Sequence, residues 1–496
     1  MAGASGSAAA SGSAGASGAA AIGGDAGASE EGGESGAAGD TGSTSPPDGV
    51  EISEVSFWQT MRVPLELAGS DVAPIAPLIT NKAGILRLFV APGPNFVARQ
   101  LSATLSFSGV NGALVSTKLI RAASANADFT TSFNFPIDAS SVLDGASYSL
   151  TLQDGASGPE LGRYPAAGTS TLHTVSAGST LNVVVVPINV RGVAANVTAD
   201  ILATFRARVL SMYPLADFTL TLHAPVDSDV ALAPNQGWDQ TLDGLYALRA
   251  QDAPADNVYY YGMFTPTARF NDYCTASCTV GLSQVAGPDE VEYRGSIGLG
   301  IFPDGSDNDA PDTMAHELGH ALGRRHAPCM TTDPGPFPYP DGKIGAWGFD
   351  SLNHLLLDPS LYGDVMGYCT PDWISDFTYN AIFTRIQYVN GAVQAERLSL
   401  SAEPPAAFRR VLVDESGALR WGSRFTPGHS LRGDARGVDL LAADGSAVAS
   451  TSGYFQPFAD AVGGFLVLPE TALDGAAGVV AIRVGSAELS LSAPMP

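Results

Sequence analysis

The spacing of apolar residues changes twice along this chain, and those two changes limit its architecture more than any other feature. From Val50 to about Thr180, short segments such as "VEISEVSFW", "GILRLFVAPG", "QLSATLSFSGV" and "ASYSLTLQDG" alternate apolar and polar residues, with Gly, Pro, Asn and Asp between them. A period of two punctuated by turn residues is the pattern of an all-β sandwich. From Leu181 the pattern becomes mixed. "NVVVVPINV" reads as a buried strand, and "TADILATFRARVLSMYP" sets Ile201, Phe205, Val209 and Met212 on one helical face before Pro214. "DFTLTLHAPV", "WDQTLDGLYALRAQ", "NVYYYGMF" and "GSIGLGIF" follow as strand, helix, strand and strand. That order predicts an α/β unit on a mostly parallel sheet. A last helix is expected at "DWISDFTYNAIFTRIQYV", and after about Ala395 the period of two returns.

The expected fold class is therefore multidomain, α/β plus all-β. A central domain at 181–395 is flanked by β-sandwich, Ig-like domains at 49–180 and 396–496. Residues 1–48 are Gly, Ala, Ser and acidic residues with almost no large apolar side chain. Such a segment cannot offset its ordering entropy by burial, so a disordered tether is expected there.

Charge removes some function classes. With 25 Lys+Arg against 50 Asp+Glu, the formal net charge is -25. A polyanion repels nucleic acid and anionic membranes. The longest apolar run, from Leu181, is far shorter than a spanning helix needs, so no membrane span is expected. The first residues carry no basic, Leu-rich signal sequence. Four cysteines, Cys274, Cys278, Cys329 and Cys369, permit three disulfide connectivities. Reduced thiols, or Cys274 and Cys278 as metal ligands, are compatible with the same count.

Three of the seven histidines, His316, His320 and His326, fall within "TMAHELGHALGRRHAPC". "DTMAHELGHALG" is helical in character, with Asp312 or Thr313 expected as its cap. Residues four apart share a helix face, so His316 and His320 point the same way and can reach one zinc ion. Glu317, one residue round, is poorly placed to ligate but can lean towards a water on the same ion, where a general base belongs. Gly323 can adopt the positive φ that turns the chain back and brings in His326. Three imidazoles and one open position describe a catalytic zinc site. The acidic loop "PDGSDNDAPD" at 303–312 has oxygens suited to Ca2+, but their spacing matches no standard calcium loop. His173, His223, His354 and His429 are isolated.

The segment "HELGHALGRRH" resembles the HExxHxxGxxH signature of the metzincin zinc endopeptidases. The resemblance spans roughly residues 181–395 and leaves the subfamily open. It implies that "YGDVMGYC" supplies a Met-turn with Met366 beneath the metal, and that Tyr368 stands beside it. It also implies that the third-ligand loop and the Met-turn converge, so that Cys329 pairs with Cys369 and Cys274 is left to pair with Cys278. Two disulfides would place the chain outside the cytoplasm, secreted or tethered at the cell surface.

Two function classes follow. In the first, the chain is a zinc endopeptidase in which Glu317 assists attack of zinc-bound water on a peptide bond. Its flanking sandwiches would then recognise a protein or glycoprotein substrate, or one would serve as an inhibitory pro-region. In the second, it is a non-enzymatic surface or adhesion protein on a degenerate metalloprotease scaffold. The intact Glu317, Gly323 and His326 favour the first.

Overall fold

The computed structural model describes residues 48–494 except 176–177, 179, 307–308, 332–333, 392–405 and 475–477. The tether expected at 1–48 falls outside them but for Asp48, as does the boundary expected at 395/396.

The N-terminal region holds two antiparallel sheets. One orders its strands Ser70–Asp71, Arg62–Leu67, Val50–Trp58, Gly84–Pro92 and Phe133–Ile137. The other runs Ser170–Leu172, Ala146–Asp154, Arg99–Phe107 and Leu114–Ile120, with Glu160–Tyr164 also pairing to Ala146–Asp154. The alternation read in the sequence becomes a buried face: Ala146, Tyr148, Leu150 and Leu152 are buried along one strand. Both sheets contribute to a core that continues into the central region.

The contact with the central region runs through a turn. Thr60 Oγ1 donates to Ser211 O at 3.0 Å, and Thr60 O accepts from Trp373 Nε1 at 2.9 Å and from Phe349 N at 2.8 Å. Lys82 Nζ donates to Leu210 O and Tyr213 O at 2.6 and 2.7 Å.

The central sheet contains β1 (Thr180–Val190), β2 (Asp217–Leu222), β3 (Val226–Ser228), β4 (Val258–Phe264), β5 (Gly281–Ser283) and β6 (Gly295–Leu299). Its order is β2-β1-β4-β6-β5, with β3 also on β1. All its pairings are parallel except β5 against β6. The mostly parallel sheet expected from the sequence is there. The short antiparallel strand at its edge was not foreseen, because "GLS" is too brief to show a period.

Helix α1 (Ala199–Met212) starts at Thr198, whose side chain accepts from Ile201 N, and buries Phe205, Val209 and Met212; Ile201 is only partly covered. Helix α2 spans Trp238–Asp252, α3 Ala310–Ala321 and α4 Asp376–Gly391. The cap expected at Asp312 or Thr313 is corrected: α3 begins three residues before Thr313, after Asp309 at φ 57°. Pro311 occupies its first turn, where a missing N–H costs nothing. Asp312 instead binds Arg208.

The C-terminal sandwich is corrected as well. Strands β7 (Phe408–Val413), β8 (Leu419–Phe425), β9 (Asp434–Leu441), β10 (Ala447–Pro457), β11 (Gly464–Pro469), β12 (Ala481–Val484) and β13 (Ala487–Ser490) form one antiparallel sheet, ordered β8-β7-β11-β10-β9-β12-β13. Alternation specifies a strand with one covered face but not how many sheets share it. Part of this sheet's cover is the central region itself. Asp243 of α2 accepts from Ser423 N and Oγ at 2.7 Å each, and buried Arg410 reaches Asp243 at 3.4 Å. His429 Nε2 lies 2.9 Å from Glu292.

Candidate metal centre

Helix α3 is buried along nearly its whole length, which fixes the direction of every side chain it carries. His316 Nδ1 donates to Val365 O and His320 Nδ1 donates to Arg324 O, both at 2.7 Å. Each ring is therefore held in the tautomer whose Nε2 carries a lone pair. Those two Nε2 atoms lie 3.0 Å apart. His326 Nε2 joins them, and the ligand atoms of His316, His320, His326 and Asp460 all lie within 4.8 Å of one another.

This convergence suits a bound cation. Lone pairs facing one another at hydrogen-bond distance beside a carboxylate repel unless a cation sits among them. Asp460 Oδ1 is 3.1 Å from His316 Nε2 and 2.9 Å from His326 Nε2, and its Oδ2 is 3.3 Å from His320 Nε2. Three imidazoles and a carboxylate suit zinc. Among the described residues this is the one such group. The loop suggested for calcium finds no support: Asp304 turns onto Ser306 N and Oγ, and Asp312 is engaged by Arg208.

Gly323 has φ 83°, and Gly323 N donates to His320 O while Arg324 N donates to Gly319 O. This is the left-handed helix end expected of it, and it returns the chain so that His326 meets the helix pair. Met366 is fully buried. A Cβ on Gly319 would lie 2.4 Å from Met366 Sδ, so the thioether rests on the helix backbone between the two histidine positions. Ala327 N donates to Met366 O at 2.9 Å. Both expected disulfides are present, Cys329–Cys369 and Cys274–Cys278. The first holds the His326 loop to the Met366 turn.

Tyr368 OH donates to Asp460 Oδ1 at 2.8 Å and lies 3.1 Å from His326 Nε2. Its hydroxyl is pushed well up by burial and by the Asp460 charge. Glu317 is buried at 2% exposure, and its Oε2 has no hydrogen-bond partner. Burial first, and the Asp460 charge second, raise its carboxyl well above the usual range. Burial also acts to raise Asp460, but the imidazoles of His320 and His316 outweigh it and hold that carboxyl well below the usual range. A cavity of about 460 Å³ opens beside these groups, lined by Val280, Gly281, Glu317, Tyr368 and Asp460 among others.

Three participants were missed by the sequence reading. Asp460 lies 134 residues beyond His326, in "FADAVGG", which has no motif. Gly281 leaves the room that Glu317 fills: a Cβ there would be 2.2 Å from Oε1. Asp364 is fully buried and accepts from Met366 N at 2.8 Å and Ser375 N at 2.9 Å, fastening the turn that carries Met366. Arg324, next after Gly323, lays its guanidinium 4.7 Å from the Phe377 ring.

The model of the peptidase M66 family matches residues 286–370, which contain the three histidines, Glu317 and Met366. No curated protein matches the chain. Among solved structures, "Structure of a chaperone-substrate complex" aligns with 14% identity and a TM-score of 0.25, covering 52% of this chain and 39% of that one. This chain thus spans about two fifths of that chain's length. "Crystal Structure of metalloproteinase-II from Bacteroides fragilis" aligns with 12% identity and a TM-score of 0.24, covering 62% and 87%. The site and the family match together support a zinc-dependent metallopeptidase. Within that class the match is to the peptidase M66 family, over this segment alone.

Proposed function

We propose that the protein is a zinc-dependent endopeptidase acting on protein or glycoprotein substrates. The observation that carries the reading is the buried Glu317 carboxyl, whose Oε2 has no hydrogen-bond partner, set beside three imidazoles aimed at one point. A structural metal site has no use for such a group. His316, His320 and His326 would hold the zinc. The ion would supply Lewis-acid polarisation of a carbonyl and of a water.

The chain's own residues account for the remaining chemistry. Glu317, one residue round the helix from His316, is placed to take a proton from the attacking water and return it to the departing amine. Tyr368, at the cavity wall, can donate to the oxygen on which negative charge develops. Met366 and Asp364 hold the floor on which the imidazoles rest. β5 lies at the edge of the central sheet beside the cavity, the position at which an extended peptide can add as a strand. The resemblance to metzincins noted in the sequence agrees with this arrangement.

Two disulfides support an oxidising, extracytoplasmic setting. No helix among the described residues is long and apolar enough to cross a membrane. The adhesion-protein alternative draws no support from the site, since a degenerate scaffold gains nothing from Glu317.

The test is metal analysis with a casein-clearing assay, with and without a chelator. Zinc near one equivalent is expected, lost in His320→Ala. Glu317→Ala should keep the zinc and lose about 10²–10⁴-fold in hydrolysis. Zinc near zero would remove the site; unchanged turnover in Glu317→Ala would remove its role.

A further inference from the structure

The turn between β10 and β11 does not face solvent. Phe458 forms an antiparallel bridge with Gln284, next to β5, and Ala459 N donates to Ser283 O at 3.1 Å. Phe458 N donates to Gly463 O at 3.1 Å, closing the turn. The Phe458 ring is buried against Phe465, with centroids 4.9 Å apart, in a core that also contains Leu282 of β5. This anchorage carries Asp460 into the centre. Its side chain is 8% exposed, and its Oδ1 is within 3.1 Å of His316 Nε2, His326 Nε2 and Tyr368 OH. The turn therefore does two things at once. It uses the edge of β5, where a peptide would align, and it places a carboxylate where a catalytic zinc site keeps its open position.

We infer that the β10–β11 turn is a built-in inhibitor of the endopeptidase, with Asp460 closing the metal site as a fourth ligand and Phe458–Ala459 covering the substrate edge. The inference rests on the proposed function, because a closed site has meaning only for an enzyme. It also assigns the C-terminal sheet a role: the sheet is the support that presents the turn. The Asp243–Ser423 and Glu292–His429 contacts hold that support against the central region, so the turn is locked in place from behind. In this arrangement the described form is restrained, and its turnover is set by the fraction of time the turn is lifted from β5.

The experiment uses the full chain loaded with Co2+ in place of zinc, whose visible absorption reports its ligands. Wild type, Asp460→Ala and Asp460→Asn are titrated with acetohydroxamate, a small chelating probe of the open position. An occupied position lowers apparent affinity by the fraction of time it is free. Asp460→Ala should shift the visible spectrum and bind the probe about tenfold or more tightly than wild type. Asp460→Asn, nearly isosteric, should move in the same direction with the fold preserved. Casein clearance should rise in both. Cobalt uptake with equal probe affinity in all three proteins overturns the inhibitor and leaves the endopeptidase reading standing. Failure of the wild type to bind cobalt overturns both.

Discussion

Replacing Gly281 with alanine tests how tightly Glu317 is held. A Cβ on Gly281 would stand 2.2 Å from Glu317 Oε1, 2.6 Å from its Cγ and 2.7 Å from its Cδ. Carbon atoms in contact rest at about 3.5–4.0 Å, so the glutamate arm or β5 must give by about 1 Å. Neither gives freely. Glu317 is 2% exposed on a buried helix, and Gly281 is fixed by its pairing with Gly298 of β6. Overpacking of this kind costs about 1–3 kcal/mol of stability. Moving a catalytic group by about 1 Å costs about 10²-fold in rate. Gly281→Ala should therefore keep its zinc, melt somewhat earlier and lose about 10²-fold in kcat. The assay is steady-state cleavage of a fluorogenic peptide, run in an Asp460→Ala background so that access to the site is not limiting. A double variant sharpens it. If the methyl acts through the Glu317 carboxylate, Gly281→Ala with Glu317→Ala should turn over little slower than Glu317→Ala alone. Full turnover in Gly281→Ala, or two losses that simply multiply, would refute the reasoning.

Met366 and the His429–Glu292 pair give two more expectations. Met366→Leu should retain zinc and most activity at a cost under about 1.5 kcal/mol. Met366→Ala should open a cavity beneath Gly319 and cost about 2–5 kcal/mol; zinc content and melting temperature decide it, and a silent alanine would mean that the turn does not support the site. Burial acts to lower the His429 pKa, but the Glu292 carboxylate prevails and raises it to about 9. With the folded value above the unfolded one, the stabilisation is full below about pH 6.5 and disappears as pH rises through about 9. The melting temperatures of wild type and Glu292→Gln should therefore differ at about pH 6 and converge at about pH 10; a constant difference would mean that the pair contributes no such linkage.

What could be read from the sequence was what lies close together along it. His316, His320 and Gly323 sit on one helix and its end, so helical geometry alone brings them into relation. The alternating residues 146–152 announced a strand because one face of that strand is covered. Asp460 could not be read, because its position depends on how a C-terminal sheet packs onto β5. Nor could Gly281, whose meaning is the volume occupied by a side chain 36 residues later. Asp364 looked like one acidic turn residue among many until its two backbone donors were seen. The same limit explains the C-terminal region. Its strands were legible, but their assembly into one sheet was not, since period two says which side is buried and nothing about by what.

The Thr60 turn has a consequence for how the molecule is made. Residues 60 and 82 are translated before any of the zinc-site residues, yet they bind the central region that carries them. Lys82 satisfies carbonyls at the end of α1, and the bond from Trp373 to Thr60 joins groups 313 positions apart. A nascent chain would have its N-terminal sheets formed and waiting, a template against which α1 docks and which Trp373 later seals. Removing the N-terminal sheets would strip a helix end and a buried indole of their partners, each orphaned group costing about 1–3 kcal/mol. The N-terminal sheets are therefore part of what holds the central region folded.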